Sequence, residues 1–258
     1  MIEFKEFITE GVYDKHIFKA FWLAGGPGSG KSWVSKRTLE GSGMKLINTD
    51  KGLKRYAKQA GLDLNRMNTF TDKEMKLKDY FRAKSKRGTV SQLQHAIDGR
   101  LGLILDSTGR NTDRIEDERR AMAHIGYNTF LVFVNTRLEI ALKRNQYEKR
   151  GRPLPDAIVI SNWKQVQANK NKLKNIFGAS NYVEVDNDED VEHINAQVYK
   201  EINKLKNQPA NSPLAKSWIA NELAMKKYAG TQPGESPKAG FWSRFKGMFA
   251  SHSIRNSV

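Results

Sequence analysis

The chain has no cysteine, which excludes disulfides and thiolate metal sites and makes a reducing cytoplasm the expected home. Its five histidines, His16, His95, His124, His193 and His252, show no ligand spacing, so no structural zinc is expected. No stretch approaches the roughly 20 apolar residues that cross a bilayer. The opening residues 1–11 carry acids among their apolar residues, unlike a secretory leader. Acids are scarce overall: 28 Asp and Glu stand against 44 Lys and Arg, a formal charge of +16. That excess favours polyanionic partners, because cations gain both attraction and counterion release on phosphates, although it also suits a solvated surface. What remains suffices for a core. Hydrophobic residues make up 38% of 258, a length that suits one large domain with appendages.

Strand and helix patterns alternate along the chain. Residues 18–23 (FKAFWL) form an aromatic and aliphatic run that meets a glycine turn at Ala24-Gly25-Gly26, which reads as a buried strand. A helix is expected over 32–39, and a second short strand over 44–50 (MKLINTD) ending in an acid. Residues 51–100 have apolar residues at loosely helical spacing among 13 Lys or Arg and 5 Asp or Glu, supplying 8 of the net +16 charges; this is a basic helical insertion. Residues 101–106 (LGLILD) read as a strand buried on both faces and closed by Asp106. A helix over 112–124, a strand over 128–134 (NTFLVFV), a helix from Arg137 and a longer one over 156–177 follow, then a fifth strand over 182–185. Val191, Ile194, Val198, Ile202 and Leu205 recur at amphipathic spacing. The order predicts an α/β fold, a three-layer sandwich around a mostly parallel five-stranded sheet.

After Lys206 the composition shifts to Asn, Pro, Ser and Gly, with Pro209, Pro213, Pro233 and Pro237 interrupting any long element. The expected organisation is an amphipathic segment over 1–17, a catalytic domain over 18–206 and a basic tail over 207–258. Within that tail 214–228 suits a short helix. Residues 241–249 (FWSRFKGMF) are aromatic and basic, suited to docking on the domain or, less readily, to a membrane or nucleic-acid contact.

The chemistry-bearing signal is Gly25-Gly26-Pro27-Gly28-Ser29-Gly30-Lys31-Ser32. It fits the phosphate-loop pattern and lies between an apolar strand and a helix, as the mechanism requires. Glycines let successive N–H groups converge on phosphate oxygens at the positive end of the helix. Lys31 is then expected on the β and γ phosphates and the Ser32 hydroxyl on magnesium, so ATP and Mg2+ are the expected ligands. Asp106, closing a strand beside the loop, is the candidate second metal anchor, with a helix cap as its plain alternative. The polar turn that follows, with Arg110, belongs to the same sheet edge.

Transfer chemistry needs a base for the acceptor and closure against water. Asp50, read as ending strand two, is the candidate base, its alternative being an N-cap for a helix from Lys51. Arg144, Lys149, Arg150 and Arg152 cluster in RNQYEKRGRPLP and read as a mobile basic lid whose guanidinium groups bind spread phosphate charge.

The phosphate loop, the acids after strands two and three, and the R-x5-RGR-x-x-P stretch together resemble the polynucleotide kinase and zeta-toxin group of P-loop kinases, over residues 18–206. The resemblance implies Asp50 as base, Arg144 with Arg150 or Arg152 on the ATP phosphates, and residues after the base, here Lys54 and Arg55, on the acceptor. The group often places a second acid or an arginine directly after the base, whereas Lys51 and Gly52 follow here. The opening MIEFKEFITE looks like the first residues of proteins from large T4-like tailed phages, which implies action in an infected host's cytoplasm. The leading expectation is transfer of the γ phosphate to a hydroxyl at a nucleic-acid end, with the basic insertion lining the acceptor channel and Arg110 near it. A zeta-like kinase of a sugar nucleotide, or an ATP-dependent assembly switch without transfer, are the alternatives.

Overall fold

A computed structural model describes residues 12–146, 154–188 and 195–228, with the side chains of 68 and 226–228 left aside. Five strands form one sheet: β1 (Lys19–Ala24), β2 (Lys45–Ile47), β3 (Leu103–Asp106), β4 (Asn128–Asn135) and β5 (Tyr182–Asp186), in the order β2-β3-β1-β4-β5. Every pairing is parallel, so the mostly parallel expectation becomes wholly parallel among the described strands. Helices α1 (Lys31–Thr38), α2 (Thr49–Gln59), α3 (Asp72–Asp98), α4 (Thr112–His124), α5 (Leu138–Asn145), α6 (Asp156–Phe177), α7 (Ala196–Lys206) and α8 (Pro213–Tyr228) connect and cover it.

Strand alternation sorts the core into two faces. Ala20, Trp22 and Ala24 join Leu103, Leu105, Leu131 and Phe133 beneath α4 and α6. Phe21 and Leu23 join Ile104, Phe130, Val132 and Val134 beneath α1 and α7. All six residues of β1 are buried, as a central parallel strand demands. A separate cluster of Leu53, Ala57, Leu62 and Leu64, with Phe70 and Phe81 against it, joins α2 to α3.

Two boundaries move. Strand two ends at Ile47, because the Asn48 side chain accepts from the N–H groups of Asp50 and Lys51 and so starts α2 at Thr49. Asp50 is therefore the second residue of a helix and does not end a strand; the capping residue is Asn48, not Asp50. Packing also continues past Lys206. Ala215 is fully buried in the sheet's main cluster, and Trp218 meets Phe18 edge-on at 5.4 Å, because α8 covers the lower end of β1. Residues 241–249 lie outside the described residues, as do 1–11.

Candidate active site

Because every strand runs the same way, the carboxyl ends of β1, β3, β4 and β5 meet at one edge, where ligands of open α/β sheets bind. The phosphate loop leaves β1 there and enters α1. Two of its glycines are dictated by the fold. Gly28 has φ +80, and a Cβ there would fall 2.3 Å from the Ala141 carbonyl oxygen. Gly30 has φ +86, and its Cβ would fall 2.1 Å from Asn187 Nδ2. Any side chain at either position meets both a backbone penalty and a clash.

Three neighbours hold the loop in place. Asn187, buried just after β5, donates from Nδ2 to the Ser29 carbonyl at 2.7 Å. Trp163 of α6 stands beside Gly26 and donates its indole N–H to the Thr136 carbonyl at 2.7 Å. The Gly25 N–H reaches Thr108 O at 3.3 Å, tying the loop to the turn after β3. No side chain caps α1 and its first turn contains no acid, so the positive helix end is left for an anion. Lys31 Nζ donates to Gly25 O at 2.6 Å, which keeps the ammonium over the loop. Ser32 follows in the first turn of α1, exposed to solvent.

Asp106 ends β3 opposite Leu23 of β1, next to the start of the loop. Its carboxyl titrates above the ordinary 3.8: desolvation is the main cause, Asp50 and Glu40 add repulsion, and Lys31 and Lys51 oppose the rise. Asp106 is exposed to solvent, so the rise is that of a carboxylate lying against packed protein and not of one sealed in a core. Asn48 donates to its Oδ2 at 2.5 Å while accepting from the Asp50 N–H at 2.7 Å. One amide thus fixes Asp106 and the start of the Asp50 helix together. Among the described residues no three acids or histidines cluster as a metal cage. A hydroxyl, one carboxylate, waters and nucleotide phosphates form the type of set magnesium prefers, and Ser32 and Asp106 fit it.

The lid candidates divide. Arg144, at the end of α5, donates to the Asn187 carbonyl at 2.6 Å, one residue removed from the Ser29 contact, so it backs the phosphate loop. Arg150 and Arg152, with Lys149, lie outside the described residues. Buried Asn145 holds the two flanks of that segment together, donating to Leu154 O at 2.7 Å and accepting from Leu154 N at 3.1 Å.

The acceptor candidates also separate. Arg110 turns to α6 and donates to Asn162 at 2.6 Å. Lys54 and Arg55 lie exposed on α2, with Arg55 Nη2 3.4 Å from the Tyr56 hydroxyl. Sequence reasoning missed Asn48, Asn145, Trp163 and Asn187. Only Asn48 had a local signal, an Asn two residues ahead of an acid at a helix start; the others act through contacts distant in sequence.

The family profile described as Zeta toxin matches residues 17–199. No curated protein sequence matches the chain. Among solved structures, the AvrRxo1-ORF1 and AvrRxo1-ORF2 complex aligns with TM-score 0.50 at 16% identity, covering 82% of this chain and 74% of that one. The PezAT toxin-antitoxin system of Streptococcus pneumoniae aligns with TM-score 0.49 at 16% identity, covering 86% and 92%. The Pnkp1/Rnl/Hen1 RNA repair complex aligns with TM-score 0.46 at 18% identity, covering 61% of this chain and 46% of that one, so the chain spans less than half its length. At such identities the likeness is one of fold.

Proposed function

The chain belongs to the zeta toxin family, whose P-loop phosphotransferase fold it has, and from that premise we propose that it transfers the γ phosphate of ATP to a hydroxyl at the end of a nucleic acid. In the proposed step the acceptor oxygen attacks the γ phosphorus, Asp50 takes the hydroxyl proton, and the bond to the β–γ bridging oxygen breaks, leaving its electrons on ADP. Lys31 and the N–H groups of the loop hold the phosphate oxygens, and Arg144 supports the loop from behind through Asn187. Magnesium, held by Ser32 and Asp106, would neutralise charge developing across the β and γ oxygens.

The observation that carries the nucleic-acid acceptor is charge placement. The insertion over 51–100 begins directly after Asp50 and holds 8 of the +16 net charges, and its helices α2 and α3 stand on the β2 side of the site. Family membership favours a second reading, a phosphorylated small acceptor such as a sugar nucleotide. A host cytoplasm infected by a phage is the setting the opening residues suggest, and among the described residues no helix is long and apolar enough to cross a membrane.

The test is transfer of labelled γ phosphate to a panel of 5′-hydroxyl and 3′-hydroxyl DNA and RNA oligonucleotides, nucleosides and sugar nucleotides. Label on an oligonucleotide that falls on the order of 10²–10⁴-fold in Asp50→Asn, with ATP still bound, supports the reading. Label on a small molecule alone replaces it with the second. ATP binding without label on any acceptor, insensitive to Asp50→Asn, points to an assembly switch.

A further inference from the structure

On the outer side of α2, between the edge strand β2 and α3, lies a cleft of about 510 Å³. Lys45, Lys51 and Arg55 line it together with Tyr56, Gly88 and Thr89, and no acidic residue is among its lining. Glu40, 3.7 Å from the Lys51 ammonium, stands outside that lining. The cations are not loose: the Tyr56 ring has the Arg55 guanidinium 5.1 Å from its centre and the Lys84 ammonium at 4.8 Å. Phe81 stacks on Tyr56 at 6.0 Å and braces it. A ring flanked by two cations offers little face to a base; it orients positive charge instead.

Three further features say what enters. Asn48, which fixes Asp106 and the start of the Asp50 helix, also lines the cleft, so the cleft begins where the acceptor hydroxyl would sit. Its α3 wall is built from Ser85, Gly88, Thr89 and Gln92, and is open at Gly88, where a Cβ would meet nothing within 4 Å. Exposed Lys84 of α3 holds its ammonium 4.8 Å from the centre of the Tyr56 ring and so adds a cation beside the cleft. Four cations, Lys45, Lys51 and Arg55 in the lining and Lys84 beside it, suit a ligand with more than one phosphate, a chain of phosphates and not a compact molecule.

We propose that this cleft holds the phosphodiester segment next to the reactive hydroxyl of a single-stranded nucleic-acid acceptor. The proposal rests on the nucleic-acid reading of the same active site and adds where the chain runs: away from the nucleotide, past Lys51 and Arg55, toward Lys84 of α3.

Gly88 offers a clean test, because a Cβ there meets nothing within 4 Å and replacing a helical glycine favours the helix. Binding of a fluorescent single-stranded probe of about 12 nucleotides, phosphorylated at both ends so that it is no acceptor, is measured for the full chain and for Gly88→Phe, Thr89→Glu and Gly88→Ala. Gly88→Phe, by filling the cleft, and Thr89→Glu, by adding a carboxylate, should each weaken binding about tenfold. The slope of log K against log salt should become shallower by about 0.7 for every phosphate that the protein no longer neutralises. Gly88→Ala should bind like the parent, and all three should bind ATP equally. A parent that binds the probe and transfers phosphate to oligonucleotides, with both bulky variants unchanged, overturns the cleft assignment and leaves the activity standing. A parent that transfers only to small acceptors and ignores the probe overturns the nucleic-acid reading itself.

Discussion

The two sides of the candidate site are built differently. On the nucleotide side, the loop from β1 to α1 is enclosed by α5, α6 and Asn187, and no side chain fits at Gly28 or Gly30. On the acceptor side, α2 is joined to α3 through a small cluster of Leu53, Ala57, Leu62 and Leu64, α3 reaches the sheet's cluster at its end through Ala96 and Ile97, and their outer faces carry exposed cations. Phosphate is the same ligand whatever the acceptor, so its cradle gains from being rigid. This division predicts that damage on one side leaves the other measurable, and each variant below tests that independence.

The largest effect is expected from Lys31→Ala. Losing the ammonium over the loop should cut transfer on the order of 10²–10³-fold, as removal of a charge-stabilising donor does, and weaken ATP. Probe binding in the α2–α3 cleft and the melting temperature should hardly move. Loss of probe binding along with ATP would show that the two sides act as one unit. Next is Leu53→Ala, which removes a 3% exposed side chain from the smaller cluster and should cost about 2–4 kcal/mol locally. Hydrogen exchange should accelerate in α2 and α3 but not in β1 or β4. The acceptor KM should rise while ATP affinity holds; a uniform rise in exchange across the sheet would refute the separation.

How far this division was readable in advance depends on the range of the interactions behind it. The phosphate loop, the span of α4 and the span of α6 follow from local pattern, since periodicity, glycine spacing and strand runs are properties of neighbouring residues. The second strand did not end where its acid suggested, because N-T-D carries both a strand ending and a cap, and the Asn48 side chain decided for the cap. Asn187 and Trp163 lie far along the chain from the loop they hold, and no spacing rule links them to it. The packing of Ala215 and Trp218 was hidden in a segment whose Pro and Asn content reads as a tail. It folds back because α8 offers apolar residues to the exposed end of β1.

A smaller effect distinguishes the residue that bridges the sides. Asn48→Ala removes the cap of α2, worth about 1 kcal/mol, and the hydrogen bond to Asp106. Because both candidate acids lose their positioning while the phosphate loop keeps its own supports, kcat should fall several times more than ATP affinity. Equal losses in both would mean that Asn48 belongs to the nucleotide side alone.

The smallest effect concerns stability and its pH dependence. Asp106 binds its proton more tightly when folded than at the ordinary 3.8, with desolvation as the main cause. Above that value the unfolded chain has released the proton while the folded chain still holds it, so the folded state binds more protons and unfolding becomes easier as pH rises. The cost builds between 3.8 and the higher folded value and is fully present at neutral pH. Asp106→Asn keeps an acceptor for Asn48 and carries no charge to desolvate. It should therefore melt slightly higher than the parent near pH 7 and match it at pH 3, while transfer falls as the proposed metal role of Asp106 requires. A variant that melts lower near neutral pH would show instead that the carboxylate is a structural partner of Asn48, and would move the metal assignment away from β3.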